Sequence, residues 1–178
     1  IALATYAELA ALADASAQIA TLPELCTACE EQRIGMYLTF HDQRAIAPAL
    51  ACLRNEDKLS VSLLAAARLD WLTEIKALDA AATTVLQCES YRLDLIMAAQ
   101  VCSADYVHLC FTAYDQSASL RPTRAWLDQA HAAGLGVIGW YSEDPGLELL
   151  PGLDGICTPA AMAPPTPAER SAHSILAV

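Results

Sequence analysis

The sequence predicts an α/β protein built on a parallel sheet covered by helices. Two observations carry that expectation. Short β-prone runs alternate with longer Ala/Leu-rich amphipathic stretches, and strand starts recur roughly every 18–30 residues, the spacing of a βα unit. The strand runs are apolar on both faces, as strands of a sheet buried on both sides must be.

The elements follow in order. Residues 22–32 read as a helix that contains Cys26-Thr27-Ala28-Cys29. Residues 35–40 (GMYLTF) read as the first strand, and His41-Asp42 then leads into a helix over 44–54. Residues 59–63 (LSVSL) alternate like a strand. A helix over 66–77 carries Leu69, Leu72 and Ile75 at helical spacing. Strand 83–86 (TTVL) precedes a helix over 91–101 with Leu93, Ile96 and Met97 on one stripe. Strand 106–110 (YVHLC) precedes a helix over 124–133, closed by Gly134 as its C′ residue. Strands 136–140 (GVIGW) and 155–157 (GIC) flank the turns Pro145-Gly146 and Pro151-Gly152 around a very short helix. A Pro-rich stretch over 163–167 reads as extended, and 168–178 as a loosely attached tail. Six strands fit two architectures, a doubly wound open sheet or a (β/α)8 barrel, which needs about 250 residues. Neither G-x-G-x-x-G nor a P-loop occurs, which weakens the nucleotide-binding version of the open sheet.

Composition narrows the function. The chain has 178 residues, with 10 Lys plus Arg against 21 Asp plus Glu, for a net charge of −11. An acidic chain whose only lysines are Lys58 and Lys76 is a poor partner for nucleic acid or an anionic membrane. Its 55% hydrophobic content supports a large core, and no apolar run reaches the roughly 18 residues of a membrane span. The chain begins at Ile1 without a basic, apolar leader, which fits a processed terminus or a segment upstream. Seven scattered cysteines do not read as a disulfide framework and place the protein in a reducing, cytoplasmic setting. The C-x-x-C reads as helix packing, with redox or metal chemistry as its alternative.

Three stretches carry a resemblance. Thr5-Tyr6-Ala7-Glu8-Leu9 is followed by Ile19-Ala20-Thr21-Leu22-Pro23-Glu24-Leu25. Gly134-Leu135-Gly136-Val137-Ile138-Gly139-Trp140-Tyr141-Ser142-Glu143-Asp144-Pro145 comes next in order, then Gly152-Leu153-Asp154-Gly155-Ile156-Cys157-Thr158. Together they resemble the glycerophosphodiester phosphodiesterase family in order and spacing. The resemblance implies a partial (β/α)8 TIM-type barrel of about six parallel strands over residues 1–162, with 163–178 as a Pro-rich tail. It equates these strands with the family's third to eighth. It further implies hydrolysis of glycerophosphodiesters, assisted by a divalent metal, Mg²⁺ or Ca²⁺, and by two histidines.

The family's H-R-G and E-x-D motifs fall before Thr5 in that order and do not occur in this sequence. Where the family has a metal-binding Glu on its third strand, Thr39 stands, and His41 stands at the following Lys. A hydroxyl brings no charge to a hard dication. Ser62-Leu63 matches a Ser-Phe at a strand end, and Glu143 replaces an Asn. The chain is therefore expected to be a glycerophosphodiester phosphodiesterase-like protein that is inactive or incomplete, or a non-catalytic binding or oligomeric scaffold derived from that family. His41, Gln87 and Trp140, at strand ends, are the expected substrate-binding residues for a glycerophosphodiester-like small molecule. The open edges of a partial barrel also predict a homodimer.

Other residues have simpler expectations. Asp42 is a helix N-cap. His108 is a core histidine that faces either the barrel interior or the helix layer. His131 is exposed on its helix. Asp154 stabilises a turn. Trp71 and Trp126 pack helices. Asp115, Glu143 and Asp144 are loop carboxylates that could add metal oxygens.

Overall fold

A computed structural model describes residues 19–88, 94–110, 123–140 and 151–157. The Thr5–Leu9 stretch, Pro145-Gly146, the loop carboxylates and the Pro-rich tail with its domain boundary lie outside the described residues.

Helix α1 spans Leu22–Gln32. Thr21 starts it, its backbone N–H and its hydroxyl both donating to Glu24 Oε2 at 2.7 Å. These bonds hold the Glu24 carboxyl below the usual range. Strand β1 is Met36–Thr39. Asp42 then caps the next helical segment, as its residue type predicts, accepting from the Arg44 N–H at 3.0 Å. A short 3-10 turn, Gln43–Ala45, runs into α2, Ile46–Asn55.

Strand β2 corrects one expectation. It spans Ser62–Ala66, and the run expected to begin it, Leu59–Val61, is a 3-10 turn. The Val61 N–H and the Ser62 hydroxyl both donate to the Lys58 carbonyl, which winds the alternating residues into a turn. The strand continues instead through Ala65 and Ala66, residues of low β-propensity that suit a position under packed helices. Accordingly α3, Leu69–Leu78, begins three residues later than its periodicity predicts. Ser62 therefore starts its strand rather than ending it, and its match to a strand-end Ser-Phe does not hold.

Strand β3 is Thr83–Cys88, and α4 is Leu95–Val101, capped by Asp94. Strand β4 is Tyr106–Cys110, and α5 is Arg124–Ala132, capped by Thr123. Gly134 follows α5 with φ +78, the left-handed geometry its C′ position predicts. Strands β5, Gly136–Trp140, and β6, Gly155–Cys157, complete the series.

All six strands are parallel, and their spatial order is their sequence order, β1 to β6. A doubly wound sheet must reverse that order partway, and this one does not. Among the described residues, helices consequently line one face only. Leu64, Ala66, Leu86, Val107, Leu109 and Val137 on that face join Ile46, Leu50, Leu72 and Leu127 of the helices in one core. The opposite face forms a second cluster made of strand residues alone, Leu63, Ala65, Val85 and Ile138, with Tyr37 and Tyr106. That second core is the filled interior of a curled sheet.

One contact measures the curl. The Tyr37 hydroxyl on β1 lies 2.6 Å from His108 Nδ1 on β4. Strands three steps apart in a flat sheet are roughly 14 Å apart, too far for these two side chains. The sheet must bend until β1 and β4 face each other. The fold is a half-barrel of the α/β TIM type.

Two aspartates fasten the N-terminal rim in the same way. Asp105 immediately precedes β4, and its Oδ2 accepts from the Thr84 N–H of β3 at 2.7 Å. Asp154 immediately precedes β6, and its Oδ2 accepts from the Val137 N–H of β5 at 2.7 Å. Each carboxylate extends the ladder one step beyond its strand. Each also takes a basic side chain from a neighbouring helix, Lys76 at 2.8 Å and His131 at 2.9 Å. The turn role expected of Asp154 is thus a strand-to-strand clasp, and His131 is its partner.

The interior sets one strict size limit. Gly136 pairs with Tyr106, and a Cβ on Gly136 would lie 2.2 Å from the Tyr106 ring. Gly136→Ala is expected to cost about 1–3 kcal/mol, the usual range for overpacking. Urea unfolding of the variant checks this. A midpoint equal to that of the parent would mean the ring swings aside freely.

Candidate functional site

In a parallel barrel the strands' C-terminal ends form one rim, where side chains of different strands converge. The described part of that rim runs from Thr39 through residues 66–67 and 87–88 to Trp140 and Cys157.

His41 follows β1 and is exposed. Its neighbour Asp42 is committed elsewhere. Both its oxygens hold the Arg44 guanidinium, at 2.6 Å for the closest pair, and those bonds hold its carboxyl down to about 2. Gln87 lies on the interior side of β3, two residues beyond Val85, and is half-buried. Trp140 ends β5 in register with Cys157 and Cys110, and its side chain lies outside the described residues. Of the three expected binding residues, Gln87 is placed on the interior face and His41 on the exposed rim.

The structure adds a residue whose orientation the sequence left open. His108 faces the interior, paired in register with Gln87, and is 4% exposed. Burial lowers its pKa to about 4, so the ring is neutral at pH 7. Burial also raises the Tyr37 phenol, with a smaller push from the thiol of Cys157, so the hydroxyl keeps its proton. The arrangement that uses that proton has the Tyr37 hydroxyl donating to Nδ1, which assigns the ring hydrogen to Nε2. Nε2 is buried and has no partner among the described residues. An unmade bond of this kind costs roughly 1–3 kcal/mol. Chemically, the ring offers a neutral N–H donor within the barrel, steadied by the phenol behind it.

The described rim does not suit a hard divalent metal. Thr39 brings no charge, Asp42 is held by Arg44, and no group of three His, Cys, Asp or Glu residues is arranged for a metal among the described residues. A groove between α4 and α5, lined by Leu95, Met97 and Trp126, lies in the helix layer.

No family model and no curated protein matches the sequence. Solved structures do match its fold. A Galdieria sulphuraria structure named as a glycerophosphodiester phosphodiesterase superposes with a TM-score of 0.64 at 20% identity, over 77% of this chain and 56% of that one. The fold is that of the glycerophosphodiester phosphodiesterases. A Silicibacter pomeroyi structure named as a glycerophosphoryl diester phosphodiesterase gives 0.57 at 20% identity, over 68% of this chain and 46% of that one. A glycerophosphodiester phosphodiesterase from Parabacteroides distasonis gives 0.56 at 12% identity, over 70% of this chain and 52% of that one. The likeness to these phosphodiesterases is one of fold, and the chain spans about half of their length. It agrees with the resemblance read from the three sequence stretches. No helix among the described residues is long and apolar enough to cross a membrane.

Proposed function

We propose that the chain belongs to the glycerophosphodiester phosphodiesterase family and that, as this chain, it binds a glycerophosphodiester-like small molecule without hydrolysing it. The observation that carries the reading is the singly wound, curled parallel sheet, which fits the resemblance in the residues flanking β5 and β6. Gln87 and His41 would bind from the strand-end rim, with Trp140 as its wall. The family's Mg²⁺ or Ca²⁺ would polarise the phosphoryl group where it is bound. Thr39, and an Asp42 tied to Arg44, argue against its being held by the described rim. The seven cysteines favour a reducing, cytoplasmic setting. We also expect a homodimer joined through an outer edge of the sheet, which light scattering would register as twice 19.0 kDa.

Two measurements on the 178-residue chain test the functional reading. With glycerophosphocholine and Mg²⁺ or Ca²⁺, release of glycerol 3-phosphate is expected to stay at the enzyme-free rate. Calorimetry with the same compound is expected to give binding that weakens roughly three- to tenfold in Gln87→Ala, the loss of about one hydrogen bond. Metal-dependent turnover would refute the non-catalytic reading. Absence of binding would refute the ligand.

A further inference from the structure

One buried donor on the interior face has no partner. His108 is 4% exposed, and its Nε2 is buried without a hydrogen bond among the described residues. The other ring nitrogen, Nδ1, is bonded to the Tyr37 hydroxyl at 2.6 Å, and the two rings meet edge-on with centroids 5.4 Å apart. Those two contacts fix the ring, so Nε2–H is a donor held in one direction. His108 is in register with Gln87, one interior position beyond the Tyr106–Val85 pair and on the rim side of the apolar core. Adjacent strands lie about 4.8 Å apart, so a small molecule at the half-buried Gln87 carboxamide is within one strand spacing of the ring. None of the six described strands carries Asp, Glu, Lys or Arg. An anion placed between these two side chains would leave water for a position with no countercharge. A hydroxyl would accept from Nε2–H and donate to the Gln87 carbonyl oxygen.

We propose that His108 is a ligand-binding residue that takes a hydroxyl of the ligand's glycerol end, with Tyr37 as the residue that positions it. This deepens the functional reading above and rests on it for the ligand class. The glycerol end points inward, between His108 and Gln87. The phosphate stays at the rim, where His41 is exposed. Burial keeps the ring neutral at pH 7, so its N–H binds without bringing a charge, and the inward position prefers a hydroxyl to a phosphoryl oxygen.

Two compounds separate the hydroxyls from the rest of the ligand. Glycerophosphocholine and propylphosphocholine share the phosphodiester and the choline, and only the first has hydroxyls. Calorimetry on the 178-residue chain should show the first binding more tightly, by roughly tenfold. In His108→Leu, glycerophosphocholine should weaken roughly three- to tenfold and propylphosphocholine should not change. Tyr37→Phe should narrow the same gap, and an unchanged gap would overturn its positioning role. Equal affinity of the parent for the two compounds, or an equal loss of both in His108→Leu, would overturn the proposal and leave the ligand class standing. Glycerol alone, added to the parent chain with nitrogen-15 in its four histidines, tests the hydroxyl position by itself. It should move the Nε2 resonance of His108, the signal missing from His108→Leu. That movement without glycerophosphocholine binding would refute the ligand class and support the hydroxyl position. No movement with either glycerol or glycerophosphocholine would overturn the proposal, and this readout needs no variant beyond the one that assigns the signal.

Discussion

Acidification from pH 7 to pH 4 is expected to remove on the order of 3 kcal/mol of stability through His108 alone. The folded ring has a pKa of about 4, and an unfolded histidine has one of about 6.5. Between those values the unfolded chain holds a proton that the folded chain does not. Stability therefore rises with pH across this window, and the loss is complete once the pH falls below the folded value. The described carboxylates with lowered pKa values behave differently. Asp42, Asp70 and Asp79 are ionised and paired in the fold, so their contributions disappear only as the pH falls below about 4. Urea midpoints at pH 7, 6, 5 and 4 separate the two effects. In His108→Leu the slope between pH 6.5 and 4 should flatten. An unchanged slope in that variant would show that His108 is not the titrating group.

Asp105→Ala should cost about 2–4 kcal/mol, the second large effect. One oxygen of this carboxylate serves three donors, the Thr84 N–H, the Thr84 hydroxyl and the Lys76 ammonium. Thr84 is fully buried, so its N–H gains no easy replacement from solvent. Lys76 would retain only the Ala82 carbonyl among its described partners. Asp105→Asn keeps an acceptor of the same shape but not its charge, and should lose roughly half as much. Unfolding midpoints of the two variants check both the size and the order. A loss below about 0.5 kcal/mol for Asp105→Ala would mean water replaces the carboxylate at that edge.

Much of the fold is legible in the residues themselves. Tyr-Val-His-Leu-Cys and Gly-Val-Ile-Gly-Trp are apolar, β-prone runs bounded by turn signals, and β4 and β5 lie where those runs place them. β2 is displaced because two forces compete there. Leu59 to Leu63 has strand alternation, but the Lys58 carbonyl captures two nearby donors, while the true strand ends in alanines that carry no strand signal. The site was less legible for a geometric reason. In a strand apolar on both sides, alternation does not say which side is the interior. His108 is oriented by Tyr37, a residue 71 positions away that approaches only because the sheet curls. The Asp105 clasp shows in the sequence only as a parallel, Asp-Tyr-Val at the start of β4 and Asp-Gly-Ile at the start of β6. Counting to the strand ends puts His41 and Gln87 on the rim without fixing what either side chain touches.

The unbroken strand order also bears on how the molecule is made. Each described strand after the first pairs with the described strand synthesised just before it. Short sequence separation keeps the entropy of closing each crossover small. A chain emerging from the ribosome N-terminus first could therefore add strands to an existing edge, one unit at a time. The growing edge would always be the newest strand, and no earlier pairing would need to open for a later strand to enter. A pause in synthesis after any of these helices would leave a narrower sheet in the same register, ready to resume.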